Sequence, residues 1–163
     1  MFKQVFFKIS VPVTALIISC SAFAHGDQGD HGDHDDQPMA AHLVFKQGEL
    51  HIHAGFQAPP VVGKESILIL EAKNPQNHQA VDLNDQVEVV LWMPSMGHGS
   101  APTQVQRTLD QNGQVLPGVF TVRNVQFIMG GEWEVRIRLT DDRGQQEIQS
   151  FRLTLSGGGH GHH

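Results

Sequence analysis

The feature that most constrains the fold is a regular alternation of apolar and polar residues over short runs. In residues 133–139 (WEVRIRL) every second residue is apolar and the others are charged, and residues 87–91 (VEVVL) and 151–155 (FRLTL) are similar. Successive side chains of a β-strand point to opposite faces, so this period predicts half-buried strands. Residues 66–72 (SILILEA) are more continuously apolar, which favours a central strand. No stretch shows a sustained helical period, and the sequence therefore predicts an all-β protein.

Short segments rich in glycine, proline, asparagine and aspartate separate these runs. Such residues favour turns because they tolerate or fix the backbone angles that turns require. Several short strands at this spacing predict a small antiparallel β-sandwich of immunoglobulin-like form, which we place at residues 41–156. The predicted turns are Asn74–Pro75, Asn112–Gly113, Pro117–Gly118, Gly130–Gly131 and Asp141–Gly144.

The N-terminal residues have the composition of a cleavable export signal. Two lysines lie within the first eight residues, residues 9–18 are mostly apolar, and Ala22-Phe23-Ala24 forms a small-x-small cleavage site. The apolar stretch is shorter than a membrane span requires. We therefore interpret residues 1–24 as a signal peptide and expect a periplasmic protein that begins at His25.

Cys20 is the only cysteine in the chain. If it leaves with the signal peptide, the mature protein has no disulfide, no thiol nucleophile and no thiolate ligand, which excludes iron–sulfur, cysteine-type zinc and blue-copper sites. Cys20 also loosely matches a lipoprotein processing site, and lipidation there would instead tether the chain to a membrane. Without a free thiolate, any metal chemistry of the mature protein must use histidine, methionine and carboxylates.

The chain is acidic, and export makes it more so. Its formal net charge is −6 with histidine neutral, and removal of the two leader lysines brings this to −8. An acidic protein without a basic patch is a poor partner for nucleic acid, whereas it is well suited to cations.

Both ends of the predicted mature chain are rich in histidine. Residues 25–40 begin with HGDQGDHGDHDD, in which His25, His31 and His34 stand among five aspartates, and residues 157–163 read GGGHGHH. These segments lack the apolar residues of a core, so we expect them to be disordered. Such clusters bind copper(II), zinc or nickel, although residues 25–40 also fit a solvated acidic linker. After cleavage, His25 would offer its α-amino group together with its imidazole.

A methionine-rich segment interrupts the strand pattern at Met93-Pro-Ser-Met96-Gly-His98. Thioether sulfur is a soft ligand that suits copper(I), and imidazole suits either copper oxidation state. Met93, Met96 and His98 are therefore candidate ligands, together with Met129 from a second segment. The alternative is that methionine fills the core, as it commonly does, and this alternative is stronger for Met93 and Met129.

A second candidate site is the His51-Ile-His53 pair. In a strand these two side chains share one face about 6–7 Å apart, a spacing that suits copper(II) or zinc. His42 could add a third nitrogen. The alternative is a solvent-facing strand edge that carries two unremarkable histidines.

Two segments of the chain resemble the FixH/YtkA-like family of exported bacterial domains. Residues 67–100 contain the pattern Val-x-x-x-Met-Pro-x-Met, and residues 116–139 contain Gly-Val-Phe and Phe-x-Met-x-Gly-x-Trp. The resemblance covers roughly residues 65–155. It implies a β-sandwich, and some family members occur beside copper-handling, oxidase-assembly or metal-efflux components. The chain departs from the membrane-anchored FixH type because its only apolar segment has the form of a cleavable signal.

These features together predict an exported metal-binding protein, with copper as the favoured metal, that acts in buffering, delivery or resistance. A membrane efflux or oxidase-assembly component is a candidate partner. The alternative is a β-sandwich interaction module, accessory to such a complex, in which the methionines are packing residues. We expect no enzyme activity, because the chain has no tyrosine, no Gly-x-Ser-x-Gly motif and no phosphate-binding glycine loop.

Overall fold

The computed structural model describes residues 40–157, which form nine strands in two antiparallel sheets. The predicted signal peptide, the terminal histidines and nearly all of residues 25–40 lie outside the described residues. Within the described part no helix is long and apolar enough to cross a membrane. The strands are β1 Ala40–Phe45, β2 Leu50–Phe56, β3 Glu65–Lys73, β4 Gln86–Met93, β5 His98–Gly99, β6 Gln104–Leu109, β7 Val115–Gln126, β8 Gly131–Thr140 and β9 Gln146–Leu155.

The order of the strands is that of an immunoglobulin-like sandwich. One sheet has the order β1-β2-β3-β7-β6 and the other has the order β5-β4-β8-β9. Numbered from β2, these correspond to the A-B-E-D and C′-C-F-G sheets of immunoglobulin-like domains. The strand β1 is an addition at the outer edge of the five-stranded sheet. The predicted antiparallel β-sandwich is therefore confirmed.

The alternation of apolar residues in the sequence fills the space between the sheets. On β8, Trp133, Val135 and Ile137 are fully buried, whereas the residues between them point to the outer face. Trp133 packs edge-on against Phe127 with ring centroids 5.5 Å apart, and its indole N–H donates to the carbonyl of Met129 at 3.0 Å. The buried polar end of this tryptophan is thus paired with the backbone.

The predicted central strand is confirmed, since β3 lies between β2 and β7. The predicted turn at Pro117–Gly118 is wrong, because both residues lie inside β7. Gly118 has a φ of +69°, and the pairing of β7 with β6 shifts register between Arg107 and Leu109. A β-bulge accounts for turn-type residues within a strand. The predicted turns at Asn74–Pro75, Asn112–Gly113 and Asp141–Gly144 fall between strands, whereas Gly130–Gly131 is only partly in a connection because β8 begins at Gly131.

Candidate functional site

The methionine-rich segment is the tight connection between β4 and β5. The carbonyl of Met93 accepts hydrogen bonds from the N–H groups of Met96 and Gly97, at 3.2 and 3.0 Å. Gly97 has a φ of +67°, a conformation that glycine adopts without strain. The chain then returns so that His98 pairs with Met93 across the two strands. Directly opposed residues of an antiparallel pair share a face, so a thioether and an imidazole are neighbours here.

The three predicted ligands of this connection differ in exposure. Met93 is only 4% exposed and belongs to the hydrophobic core, whereas Met96 is 56% exposed. His98 is half-buried, and its Nδ1 lies 3.3 Å from the carbonyl oxygen of Gly99. Met93 thus packs as a core residue, whereas Met96 and His98 are more accessible to an ion.

The segment that contains Met129 comes to the same place. A Cβ atom added at Gly131 would lie 2.7 Å from the terminal methyl of Met93, so the backbone two residues after Met129 packs against that side chain. Met129 itself is half-buried against the core. The two segments that the sequence singled out therefore meet at one end of the four-stranded sheet.

The second candidate site lies on the outer face of the five-stranded sheet. His51 and His53 share this face of β2, as predicted, and the pairing of β1 with β2 sets His42 directly opposite His53. The Nε2 of His42 lies 2.9 Å from the Nδ1 of His51. The ring centroid of His42 is 4.4 Å from that of His51 and 4.6 Å from that of His53. All three imidazoles are therefore in mutual proximity through His42.

Two charged residues of β3 flank these histidines, and sequence reasoning missed both. The pairing of β2 with β3 sets Glu71 beside His53 and Lys73 beside His51, and the two charged groups form an ion pair of 2.5 Å. Partial burial lowers the pKa of His53, the charges of His42 and Lys73 lower it further, and Glu71 acts in the opposite direction. The spacing of Glu71 and Lys73 places them on one face, but only the strand register brings that face to the histidines.

In residues 40–157, no three histidine, cysteine, aspartate or glutamate side chains are arranged as they stand to hold a metal ion. His78, the remaining described histidine, lies in an exposed turn with a φ of +57°. The predicted ligands His25, His31 and His34 lie outside the described residues.

A groove borders the open edge of β4. On this side β4 pairs only with the two-residue strand β5, through Trp92 and Met93. The groove has a volume of about 410 Å³ and is lined by residues 87–91, by residues 100–103 and by Val105. Thr103 crosses it, since its hydroxyl donates to the carbonyl of Val89 at 2.6 Å.

The described residues thus define an immunoglobulin-like β-sandwich that carries thioethers and an imidazole at the β4–β5 connection and three imidazoles on the outer face of the five-stranded sheet. The chain belongs to the YtkA-like family, whose profile matches residues 45–138. The match includes the Met-Pro-x-Met segment and Met129, and it confirms the family resemblance of the sequence. No curated protein and no solved structure matches the chain.

Proposed function

We propose that this chain is an exported protein that binds copper as its cargo, in buffering, delivery or resistance in the periplasm. Copper(I) is held at the β4–β5 connection by Met96 and His98, with Met93 or Met129 as a further sulfur ligand. The histidine-rich termini collect divalent ions such as copper(II), zinc or nickel.

One observation carries this proposal: the cross-strand pairing of Met93 with His98 beside the backbone that follows Met129. Soft thioethers and a borderline imidazole are the ligand set that copper(I) prefers in a protein without thiolates. Met96 is largely exposed, so it can contact an incoming ion without opening the core. The buried sulfur of Met93 would limit access of water to the bound ion.

The proposal is tested by a copper(I) titration under reducing conditions against a competing chelator. The terminal histidines and the thiol of Cys20 must be removed as competitors, so the starting protein is the full chain with Cys20 changed to serine and with His25, His31, His34, His160, His162 and His163 changed to glutamine. We refer to it as the tail-substituted protein. We expect it to bind one copper(I) ion.

Three further substitutions in this protein identify the ligands. Met96→Leu and His98→Gln are each expected to weaken copper(I) binding by at least about tenfold, since even outer-shell partners of a metal contribute that much. Met93→Leu conserves volume and separates a sulfur ligand from a packing role. His78→Asn is the matched control, because it removes an exposed histidine at a positive φ that asparagine tolerates. Unchanged copper(I) affinity in both Met96→Leu and His98→Gln would refute this site.

The groove along β4 favours a second candidate function, an interaction module accessory to a membrane efflux or oxidase complex. The residues of β4 from Gln86 to Val90 have no strand partner on this side among the described residues. Such an edge can accept an extended peptide from another protein. A stoichiometric membrane partner that survives Met96→Leu and His98→Gln but is lost on Val90→Lys would favour this function over copper binding.

A further inference from the structure

The three histidines on the outer face of the five-stranded sheet are a constellation that the copper(I) connection does not use. They come from two strands: His51 and His53 are two residues apart on β2, and antiparallel pairing sets His42 opposite His53 and diagonal to His51. The strand β1 is the edge of its sheet. The outer face of the sheet is open here, since His42 and His53 are exposed and His51 is half-buried.

The contact between His42 and His51 has the geometry of a shared proton. Their facing nitrogens are 2.9 Å apart, so one of them donates a hydrogen bond and the other accepts it with a lone pair. Two imidazole nitrogens on one tetrahedral zinc ion, at 2.0–2.1 Å each, lie about 3.3 Å apart. If these two nitrogens moved apart by less than about half an ångström, a metal ion could therefore take the place of the proton between them.

His53 is placed to provide a third nitrogen. Its ring centroid lies 4.6 Å from that of His42, and the side chain is exposed, so rotation toward the pair meets little resistance. The neighbouring Glu71 contributes a carboxylate, and Lys73, which pairs with it, opposes the approach of a cation. Neutral imidazoles of this kind bind ions of intermediate softness, whereas they are poor ligands for calcium or magnesium.

We infer that His42, His51 and His53 form a site for one divalent transition-metal ion, separate from the copper(I) connection and beyond the proposed function. His42 and His51 form the initial chelate, and His53 closes on the ion by rotation of its ring. Imidazoles suit zinc, nickel and copper(II), and this set lacks the thioether sulfur that favours copper(I) at the β4–β5 connection.

The test uses zinc chloride as the probe, since zinc has no redox chemistry and thioethers do not compete well for it. The tail-substituted protein is titrated with zinc against a chromophoric chelator, and we expect one equivalent to bind. His42→Gln and His51→Gln are each expected to weaken this binding by at least about tenfold, and His53→Gln to weaken it less. His78→Asn is the control for loss of an unrelated exposed histidine.

Two results would overturn the inference. One is the absence of zinc binding by the tail-substituted protein, and the other is zinc binding that His42→Gln and His51→Gln leave unchanged. Far-ultraviolet circular dichroism of each variant checks that the sheet is intact. The outcome is independent of the proposed function, since Met96→Leu and His98→Gln test copper(I) and are expected to leave zinc affinity unchanged.

Discussion

Individual glycines show how closely the backbone of this sandwich is packed. Gly118, in the bulge of β7, has a φ of +69°, and a Cβ atom there would collide with the carbonyl oxygen of Val81 and lie 3.0 Å from that of Ala72. These two carbonyls belong to backbone segments joined by a hydrogen bond from Val81 to Ala72. Neither can move aside without breaking that contact.

We therefore expect Gly118→Ala to lower the free energy of unfolding by about 3 kcal/mol or more, from backbone strain and collision together. Gly113→Ala is the matched control. Gly113 has a φ of +79°, but nothing lies within 4 Å of the added atom, so only the strain of about 1 kcal/mol applies. Urea unfolding measures both, and equal losses in the two variants would contradict the steric argument.

At the scale of single residues, the sequence indicates which side chains have unusual chemistry, but it does not indicate which side chains contact one another. It identified Met96, His98, His51 and His53 as unusual, because their chemistry is visible in the letters. It suggested His42 as a third nitrogen, but it did not reveal that the imidazoles of His42 and His51 are in direct contact. That contact depends on a turn in which Lys46 and Gln47 both have positive φ, a conformation for which non-glycine residues give little signal.

The outer face of the four-stranded sheet is held by a network of charged residues. Glu134 of β8 accepts a hydrogen bond from Arg136 at 2.8 Å and another from Ser150 at 2.7 Å. The guanidinium of Arg136 also lies over the ring of Trp92, 4.9 Å from its centroid. The hydrogen bond from Arg136, followed by that from Ser150, lowers the pKa of Glu134.

This shift has a defined consequence for stability. Because the pKa of Glu134 is lower in the folded state, its contribution is present above the ordinary glutamate pKa of about 4.3 and is lost as the pH falls through the folded-state value. We expect Glu134→Gln to lose up to about 1 kcal/mol at neutral pH and to flatten the fall of stability in acid. Denaturant unfolding from neutral to acidic pH measures this, with Glu132→Gln on the same strand as the control for loss of an exposed carboxylate.

At the open edge of β4, side chains form hydrogen bonds with backbone groups that have no strand partner. The hydroxyl of Thr103 supplies the carbonyl of Val89 with a donor, at 2.6 Å in a part-buried position. We expect Thr103→Val to reduce the free energy of unfolding by about 1 kcal/mol, since it leaves this acceptor without that partner. Thr103→Ser retains the hydroxyl and should restore most of the loss. Thermal unfolding of the unchanged protein and of these two variants measures the difference. Equal stability of all three proteins would contradict a stabilising role of the Thr103 hydroxyl.

At the level of strands, periodicity predicted more than turn chemistry did. The alternating runs that became β4, β8 and β9 were visible because one face of each strand is buried, which imposes a period of two on the sequence. Pro117–Gly118 was misread because the same residues serve turns and bulges, and only the pairing partner distinguishes the two. The register of β1 on β2 has no signature of its own in the sequence.

In the whole molecule the two proposed metal sites lie toward opposite edges of the sandwich. The strand β1 contacts β9 at one edge, whereas β4 contacts β6 at the other. His51 and the β4–β5 connection lie on different sheets, which pack about 10 Å apart, and they have no residue in common. Sites at this distance that share no partner act additively. Saturation of the tail-substituted protein with copper(I) should therefore leave its zinc affinity unchanged, as measured by the chelator titration, and mutual exclusion of the two ions would show a single shared site.

Because β1 is an edge strand, the contact between His42 and His51 affects how firmly this strand is held to the sheet. An edge strand has a hydrogen-bonded neighbour on one side only, so fewer backbone hydrogen bonds hold it to the sheet than hold a central strand. An ion bound by both His42 and His51 would be a reversible cross-link between the edge strand β1 and its neighbour β2. The rate at which the amide hydrogens of β1 exchange with solvent would then depend on the metal supply around the protein.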